Sequence, residues 1–148
     1  MDAAVEWGAE VAGLRSRIWT DKQRFNTEEP ILVHYAVQNA SKAPNTVWHS
    51  GFWPNHRIDV LDPNGNPAKF KSGSDPRWTA FSPGGMREKN APFTLQPGAV
   101  DDAYEAYNLR DIFGMRSPGT YVVDYLYQET KDTGPVKSNS LQIIVSQD

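Results

Sequence analysis

The fold is decided by a stretch that begins Leu95-Gln96-Pro97-Gly98 and ends Ser117-Pro118-Gly119-Thr120-Tyr121-Val122-Val123-Asp124-Tyr125-Leu126-Tyr127. Each Pro-Gly pair predicts a turn, because proline fixes φ at the corner and glycine accepts the positive φ that follows. The run after the second turn alternates in polarity and is rich in tyrosine and valine, as expected of a β-strand. Turn, strand, turn and strand in this order predict the last two or three strands of a β-sandwich.

Short alternating segments separated by turn residues extend upstream and downstream of this stretch. The clearest alternation covers residues 31–38, and its period of two is that of a strand with one buried face. A further strand is predicted over residues 57–61. The Asp62-Pro63-Asn64-Gly65-Asn66 that follows predicts a hairpin turn, since Asn-Gly supplies positive φ angles. The remaining predicted strands cover residues 11–20, 46–48, 68–71, 90–95, 100–107, 120–128 and 138–145.

These strands predict an all-β antiparallel sandwich of seven to nine strands, with one short helical turn at residues 109–114. Tyr121, near the start of its strand, resembles the tyrosine that bonds back to the backbone at the corner of such a sandwich. We expect residues 1–10 to be a flexible lead-in and residues 11–148 to be a single domain. The expected core contains Ile31, Val33, Tyr35, Val37, Ile58, Val60, Phe93, Leu95, Val123, Tyr125, Leu141, Ile143 and Val145.

Composition argues against several classes of function. The formal net charge of the 148 residues is −3 and no run of Lys or Arg occurs, so a phosphate-binding nucleic-acid surface is not expected. No apolar segment approaches the about 18 residues of a membrane span, so no membrane insertion is expected. The absence of cysteine excludes disulfides, a thiol nucleophile and a thiolate metal site. No nucleophile elbow or phosphate-binding glycine loop is present, so we predict neither an enzyme nor a cofactor.

The order of the turns resembles the bacterial intracellular proteinase inhibitor family and related Ig-like domains. The resemblance lies in Tyr35-Ala36-Val37-Gln38-Asn39-Ala40-Ser41, in the segment 57–65, in the Leu-x-Pro-Gly of residues 95–98 and in the Pro-Gly-Thr-Tyr of residues 118–121. It covers roughly residues 30–146 and implies an Ig-like, fibronectin-III-like sandwich. Residues 44–56 and 72–88 lie outside the pattern. An accessory domain of this kind is expected in the bacterial envelope or secreted, rather than in the cytoplasm.

The most unusual segment is Trp48-His49-Ser50-Gly51-Phe52-Trp53-Pro54-Asn55-His56, which contains two of the chain's three histidines. Its rings could anchor a partner protein, since Trp, Tyr and Arg dominate interface energetics, or stack on sugars. They could equally close one end of the sandwich core. His49 and His56 alone do not make a recognised metal site, and we expect no metal. The predicted partner-binding residues are Trp48, His49, Phe52, Trp53, His56, Arg57, Trp78 and Phe81.

These observations favour a non-enzymatic module that binds a partner protein through aromatic-rich loops. Three alternatives stay open. A proteinase inhibitor would present residues 72–88 to a protease cleft. A carbohydrate-binding module would use Trp48, Phe52 and Trp53 as a flat row of rings. A self-assembling subunit would pair strands at a sheet edge, with residues 1–10 as one candidate, so a homo-oligomer is also considered.

Overall fold

The computed structural model describes residues 6–49, 56–71, 91–101, 106–128 and 134–147, with side chains at all of these except 48, 49 and 91–93. These residues form an all-β sandwich, which confirms the predicted fold class. The strands are β1 Leu14–Thr20, β2 Arg24–Phe25, β3 Leu32–Asn39, β4 Asn45–His49, β5 His56–Leu61, β6 Ala91–Leu95, β7 Val100–Asp101, β8 Tyr107–Asn108, β9 Gly119–Tyr127, β10 Val136–Lys137 and β11 Leu141–Val145. A 3-10 turn, Leu109–Asp111, follows β8. No helix of the described part is long and apolar enough to cross a membrane.

The strands form two main sheets and one two-stranded ribbon. The first sheet has the order β1-β3-β7, and β8 also pairs with β3. The second sheet has the order β10-β9-β11-β2, and β5 pairs with β9 along the other edge of that strand. β4 and β6 form the ribbon. β2 and β11 run parallel, which departs from the wholly antiparallel arrangement that was predicted.

The core lies between the inward faces of β1 and β3 in the first sheet and of β5, β9 and β11 in the second. Alternation places every second side chain there: Val33 is fully buried, whereas its neighbour Leu32 is 45% exposed. Of the predicted core, Leu141 is only partly buried and the Phe93 side chain lies outside the described residues. The other predicted members are buried: Ile31, Val33, Tyr35, Val37, Ile58, Val60, Leu95, Val123, Tyr125, Ile143 and Val145.

Three predicted strands differ from those observed, and β2 and β10 are strands that the sequence did not predict. The predicted strand 100–107 consists of β7 and β8, with residues 102–105 outside the described part. The predicted strand 138–145 is shortened to β11, Leu141–Val145, and is preceded by β10, Val136–Lys137. Ser138 lies between the two strands, and its hydroxyl accepts from the backbone N–H of Tyr125 at 2.9 Å. The predicted return strand 68–71 is not a strand in the structure. Isolated bridges occur instead, between Leu61 and Pro67 just before it and between Phe70 and Phe113 within it.

The corner before β9 has the predicted chemistry. The Tyr121 hydroxyl donates to the Ser117 carbonyl at 2.8 Å, so this side chain holds the turn against its own strand. Gly119 has φ +145°, and a Cβ built there would lie 2.4 Å from Cγ of Pro63. The corner therefore packs against the Asp62 hairpin, where the Asp62 carboxylate accepts from the backbone N–H of Asn64 at 2.9 Å.

Residues 6–10, here termed the N-terminal strap, lie along β1. The backbone N–H of Gly8 donates to the Ser16 carbonyl at 2.8 Å. A Cβ at position 8 would lie 1.9 Å from the Lys137 carbonyl oxygen of β10, so only glycine fits at this position. This part of the segment predicted as a flexible lead-in is thus packed on the sandwich.

Candidate functional site

Most of the predicted loop site lies outside the described residues. The backbones of Trp48 and His49 belong to β4, and their side chains lie outside the described residues. Phe52, Trp53, Trp78 and Phe81 also lie outside them, as does the segment 72–88 that the inhibitor hypothesis requires. These residues therefore remain predictions.

The two predicted site residues on β5 occupy opposite environments. His56 was expected in a surface loop, but it begins β5 and is fully buried, because its side chain points between the sheets. The next side chain, Arg57, points outward, and its Nη2 donates to Oδ2 of Asp59 at 3.0 Å. His56 is therefore unavailable to a partner at this surface, which corrects its assignment, while Arg57 is exposed and ion-paired along its own strand.

The structure instead reveals an aromatic and cationic surface on the outer face of the first sheet. The register of β1 on β3 pairs Trp19 with His34 and Arg17 with Ala36, on the face opposite the core. Trp7 of the N-terminal strap reaches the same face. Together Trp7, Arg17, Trp19 and His34 form what we term the arginine ladder.

The members of the arginine ladder stack on one another. Cζ of Arg17 lies 4.2 Å from the ring centroid of Trp7 and 5.3 Å from that of Trp19. The Trp19 ring in turn stacks on His34, with centroids 5.4 Å apart and planes at 16°. Contacts of a guanidinium with indole faces each contribute about 0.5–2 kcal/mol, depending on their exposure to water. These contacts hold the ladder in one arrangement.

Further groups extend this face at both ends. Near the strap, Cζ of Arg15 lies 5.0 Å from the Trp7 centroid and its Nε donates to Gln38 Oε1 at 2.6 Å. At the other end, Nε2 of His34 lies 3.5 Å from Oδ1 of Asp21. Leu32, two residues before His34 on the same face, adds the most exposed large apolar side chain of the described part.

The sequence predicts only some of the contacts in the arginine ladder. Alternation along β1 places Arg15, Arg17 and Trp19 on one face. The pairing with His34 depends on the register with β3, and the contact with Trp7 depends on how the strap folds back. Neither long-range contact has a local sequence signature.

Two described groups with shifted pKa values, Tyr121 and Arg110, are bonded to backbone carbonyls. Burial raises the pKa of Tyr121, whose hydroxyl is bonded to a backbone carbonyl. Burial also lowers the pKa of Arg110, whose guanidinium is bonded to carbonyls of Asn26 and Met115. Within the described ranges no group of three His, Asp or Glu side chains could hold a metal ion.

One largely apolar cavity lies on the second sheet. It has a volume of about 310 Å³ and is lined by residues of β5, by the bridge segment after it and by Phe113. Phe70 and Phe113 stack at its edge with ring centroids 5.2 Å apart. The cavity is at the small end of the range of ligand pockets, and it lies on the sheet that does not carry the ladder.

Comparison with known proteins identifies only distant structural neighbours. No protein-family model matches the chain, and no curated protein matches it. Among solved structures, β-glucosidase from Listeria innocua in complex with isofagomine gives a TM-score of 0.45 at 10% identity, over 89% of this chain. The same enzyme with glucose gives a TM-score of 0.44 at 10% identity, over 88% of this chain. The chain spans 16% of the length of these enzymes, and a likeness at this level carries no information about its activity.

Proposed function

We propose that this protein is a non-enzymatic module that binds an acidic segment of a partner protein on the outer face of its first sheet. The observation that carries the proposal is the arginine ladder, in which Arg17 lies within 4.2 Å of the Trp7 centroid. Tryptophan and arginine are the side chains that most often dominate binding energy at protein interfaces. Here they are held rigidly on a sheet, which reduces the entropy lost on binding.

Ring orientation favours a protein over a sugar at this face. Trp19 and His34 are directly opposite on neighbouring strands and stack with nearly parallel planes. Rings stacked in this way stand upright on the sheet and direct their edges outward. A sugar would need broad ring faces, whereas ring edges carry partial positive charge and suit carbonyl and carboxylate oxygens.

Charge favours an acidic partner. The chain as a whole carries a net charge of −3, yet this face carries the partly exposed Arg15 beside the buried Arg17. Guanidinium groups bind carboxylates through paired hydrogen bonds, which gives directional as well as electrostatic recognition. The exposed Leu32 supplies an adjacent apolar contact.

A photo-crosslinking amino acid at position 32 would test the proposal, with position 61 as the matched control. Leu32 is 45% exposed on the first sheet, and Leu61 is 38% exposed on the second. In cells of the source organism we expect a defined crosslinked protein from position 32 and none of that species from position 61. The captured protein is then purified and its Kd for this chain is measured.

The purified pair must also respond to changes in the ladder. Trp19→Ala and Arg15→Glu are each expected to weaken binding by about tenfold or more, and added salt to weaken it further. Leu61→Ala serves as the control and should bind unchanged. The proposal is wrong if position 32 yields no specific crosslink, or if the captured protein binds both ladder variants normally.

A further inference from the structure

The N-terminal strap continues into β1 through a two-residue turn, Ala12-Gly13. Two backbone hydrogen bonds close this turn at its base, from the Val11 N–H to the Leu14 carbonyl at 2.8 Å and from the Leu14 N–H to the Val11 carbonyl at 3.0 Å. Ala12 has φ +53° and Gly13 has φ +83°. Positive φ at both central residues is typical of the tightest hairpin turns, so the strap and β1 form a β-hairpin.

Ala12 is strained while this turn is closed. Among the described residues it is the one residue other than glycine that has a positive φ. In that region the Cβ crowds the following carbonyl oxygen, which is why asparagine and glycine are preferred in such turns. The strain disappears if Ala12 becomes extended, and the chain from the strap to the end of β1 then forms one continuous strand.

The contacts between the strap and β1 can be made equally by the strap of a second copy. They include the bond from the Gly8 N–H to the Ser16 carbonyl and the stacking of Arg15 and Arg17 on the Trp7 ring. None of them requires that the strap and β1 belong to the same chain. An exchanged strap therefore uses a surface that is already complementary to it.

The register of the hairpin also permits exchange. The closed turn places Val11 opposite Leu14. If two copies extend at Ala12-Gly13 and lie antiparallel about a two-fold axis through the turn, Val11 of each copy again lies opposite Leu14 of the other. The exchange preserves the pairing and releases two strained turns.

We propose that this chain forms a two-fold dimer by exchanging the N-terminal strap, with Ala12-Gly13 as the hinge. The partner is a second copy of this chain, and each strap pairs with β1 of the other copy. A side-chain bond opposes the exchange, because Asn45 Nδ2 donates to the Ala12 carbonyl at 3.1 Å in the closed turn. Association also costs translational and rotational freedom, so the dimer forms at high protein concentration. The exchange does not depend on whether the arginine ladder binds another protein.

Refolding from urea at high protein concentration tests for the dimer. The second copy must compete with a tethered strap, so a chain concentration of about 1 mM is needed. Sedimentation equilibrium should then show a species of twice the 16.6 kDa chain mass, which is absent after refolding at high dilution. A chain that remains monomeric after refolding at this concentration overturns the proposal.

An introduced disulfide shows which strap lies on which β1, because the chain has no cysteine of its own. Glu10 and Arg15 are the next residues outward from the Val11 and Leu14 pair, in a non-hydrogen-bonded position whose Cα separation suits a disulfide. The isolated dimer of the Glu10→Cys and Arg15→Cys double variant, oxidised after dilution, should become a covalent dimer on a denaturing gel. Glu10→Cys alone is the control and should give single chains. Disulfides that form within each chain of the dimer overturn the proposal.

Substitutions at the hinge test the cause of the exchange. Ala12→Gly removes the strain of the closed turn and should lower the dimerisation constant by about tenfold or more, since each dimer releases two turns. Asn45→Ala should raise the constant, because the monomer loses the bond to the Ala12 carbonyl. Ala9→Gly is the matched control, since it changes the exposed strap alike in both forms and should leave the constant unchanged. A dimerisation constant that does not fall in Ala12→Gly would overturn the proposal equally.

Discussion

Arg110 is the side chain that holds the two loops at one end of the sandwich together. It is only 6% exposed. Its Nη2 donates to the carbonyls of Asn26 and Met115 at 2.7 and 3.0 Å, and its Nη1 donates to the carbonyl of Glu29. The planar guanidinium reaches three separate carbonyls at fixed angles, which an ammonium group cannot do. The sequence offered no sign of this role, because all its acceptors are backbone atoms.

We expect Arg110→Lys to lower the free energy of unfolding by about 2–3 kcal/mol, since buried carbonyls lose their donors. Chemical denaturation monitored by tryptophan fluorescence measures the change. Arg116→Lys is the matched control, because Arg116 forms an exposed ion pair with Glu28 at 3.0 Å and should shift stability by no more than about 0.5 kcal/mol. Equal effects of the two substitutions would contradict the assignment.

The role of Tyr121 at the corner before β9 was predicted from the sequence. Its hydroxyl bonds to the carbonyl of Ser117 four residues earlier, at the predicted corner. We expect Tyr121→Phe to lower the free energy of unfolding by about 1 kcal/mol, the net value of one such hydrogen bond. Ser117→Ala should leave stability unchanged in the same denaturation measurement, because the acceptor belongs to the backbone. A cost for Ser117→Ala as large as that of Tyr121→Phe would show that the corner is held in another way.

At the scale of elements, Gly119 fixes how β9 leaves the corner. Its φ of +145° is a conformation that side chains rarely adopt, and a Cβ would lie 2.4 Å from Cγ of Pro63. We expect Gly119→Ala to cost about 2–4 kcal/mol, from backbone strain together with the steric clash. Gly114→Ala, where a Cβ would meet nothing within 4 Å, should change stability by less than about 1 kcal/mol. Thermal unfolding of the two variants gives the comparison, and similar melting temperatures would refute it.

Sequence predicted most elements where local signals are strong. The alternation of β3 and β9 and the Pro-Gly turns specify their strands almost to the residue. β2 was missed because its two residues, Arg24 and Phe25, carry no periodicity and pair with β11 only through the fold. The sequence does not predict β10, and it begins β11 at residue 138 instead of Leu141. The residues between the two strands are held by side-chain bonds of Ser138 and Asn139 to other strands, which have no local signal.

At the scale of the whole molecule, Asn139 links the sheets. Its Oδ1 accepts from the backbone N–H of Ile18 at 2.9 Å, and its Nδ2 donates to the Ile18 carbonyl at 3.1 Å. The Ser16 hydroxyl adds a bond to the Val136 carbonyl at 3.1 Å. The bonds of Asn139 to Ile18 and of Gly8 to the Ser16 carbonyl occupy backbone groups at the free edge of β1. Without them this edge strand would be open to pairing with another strand.

We expect Asn139→Ala to lower the free energy of unfolding by about 1–3 kcal/mol, because both backbone groups of Ile18 lose their partner. Hydrogen exchange at the Ile18 amide should accelerate more than at core amides of β9. Gln142→Ala removes an exposed amide from neighbouring β11 and should have little effect on either measurement. Unchanged exchange at Ile18 in the Asn139 variant would show that the edge is protected by other groups.

The sequence by itself determined the fold class, because turns and period-two alternation are local properties that each strand carries independently. It also fixed the corner at Tyr121 and most of the core. Only the tertiary structure decided which aromatic residues meet. It buried His56 among phenols from both sheets and brought Trp7 onto Arg17, ten residues along the chain, and Trp19 onto His34. Strand register and the path of the strap create these contacts, and both depend on the packing of the entire sandwich rather than on any one segment.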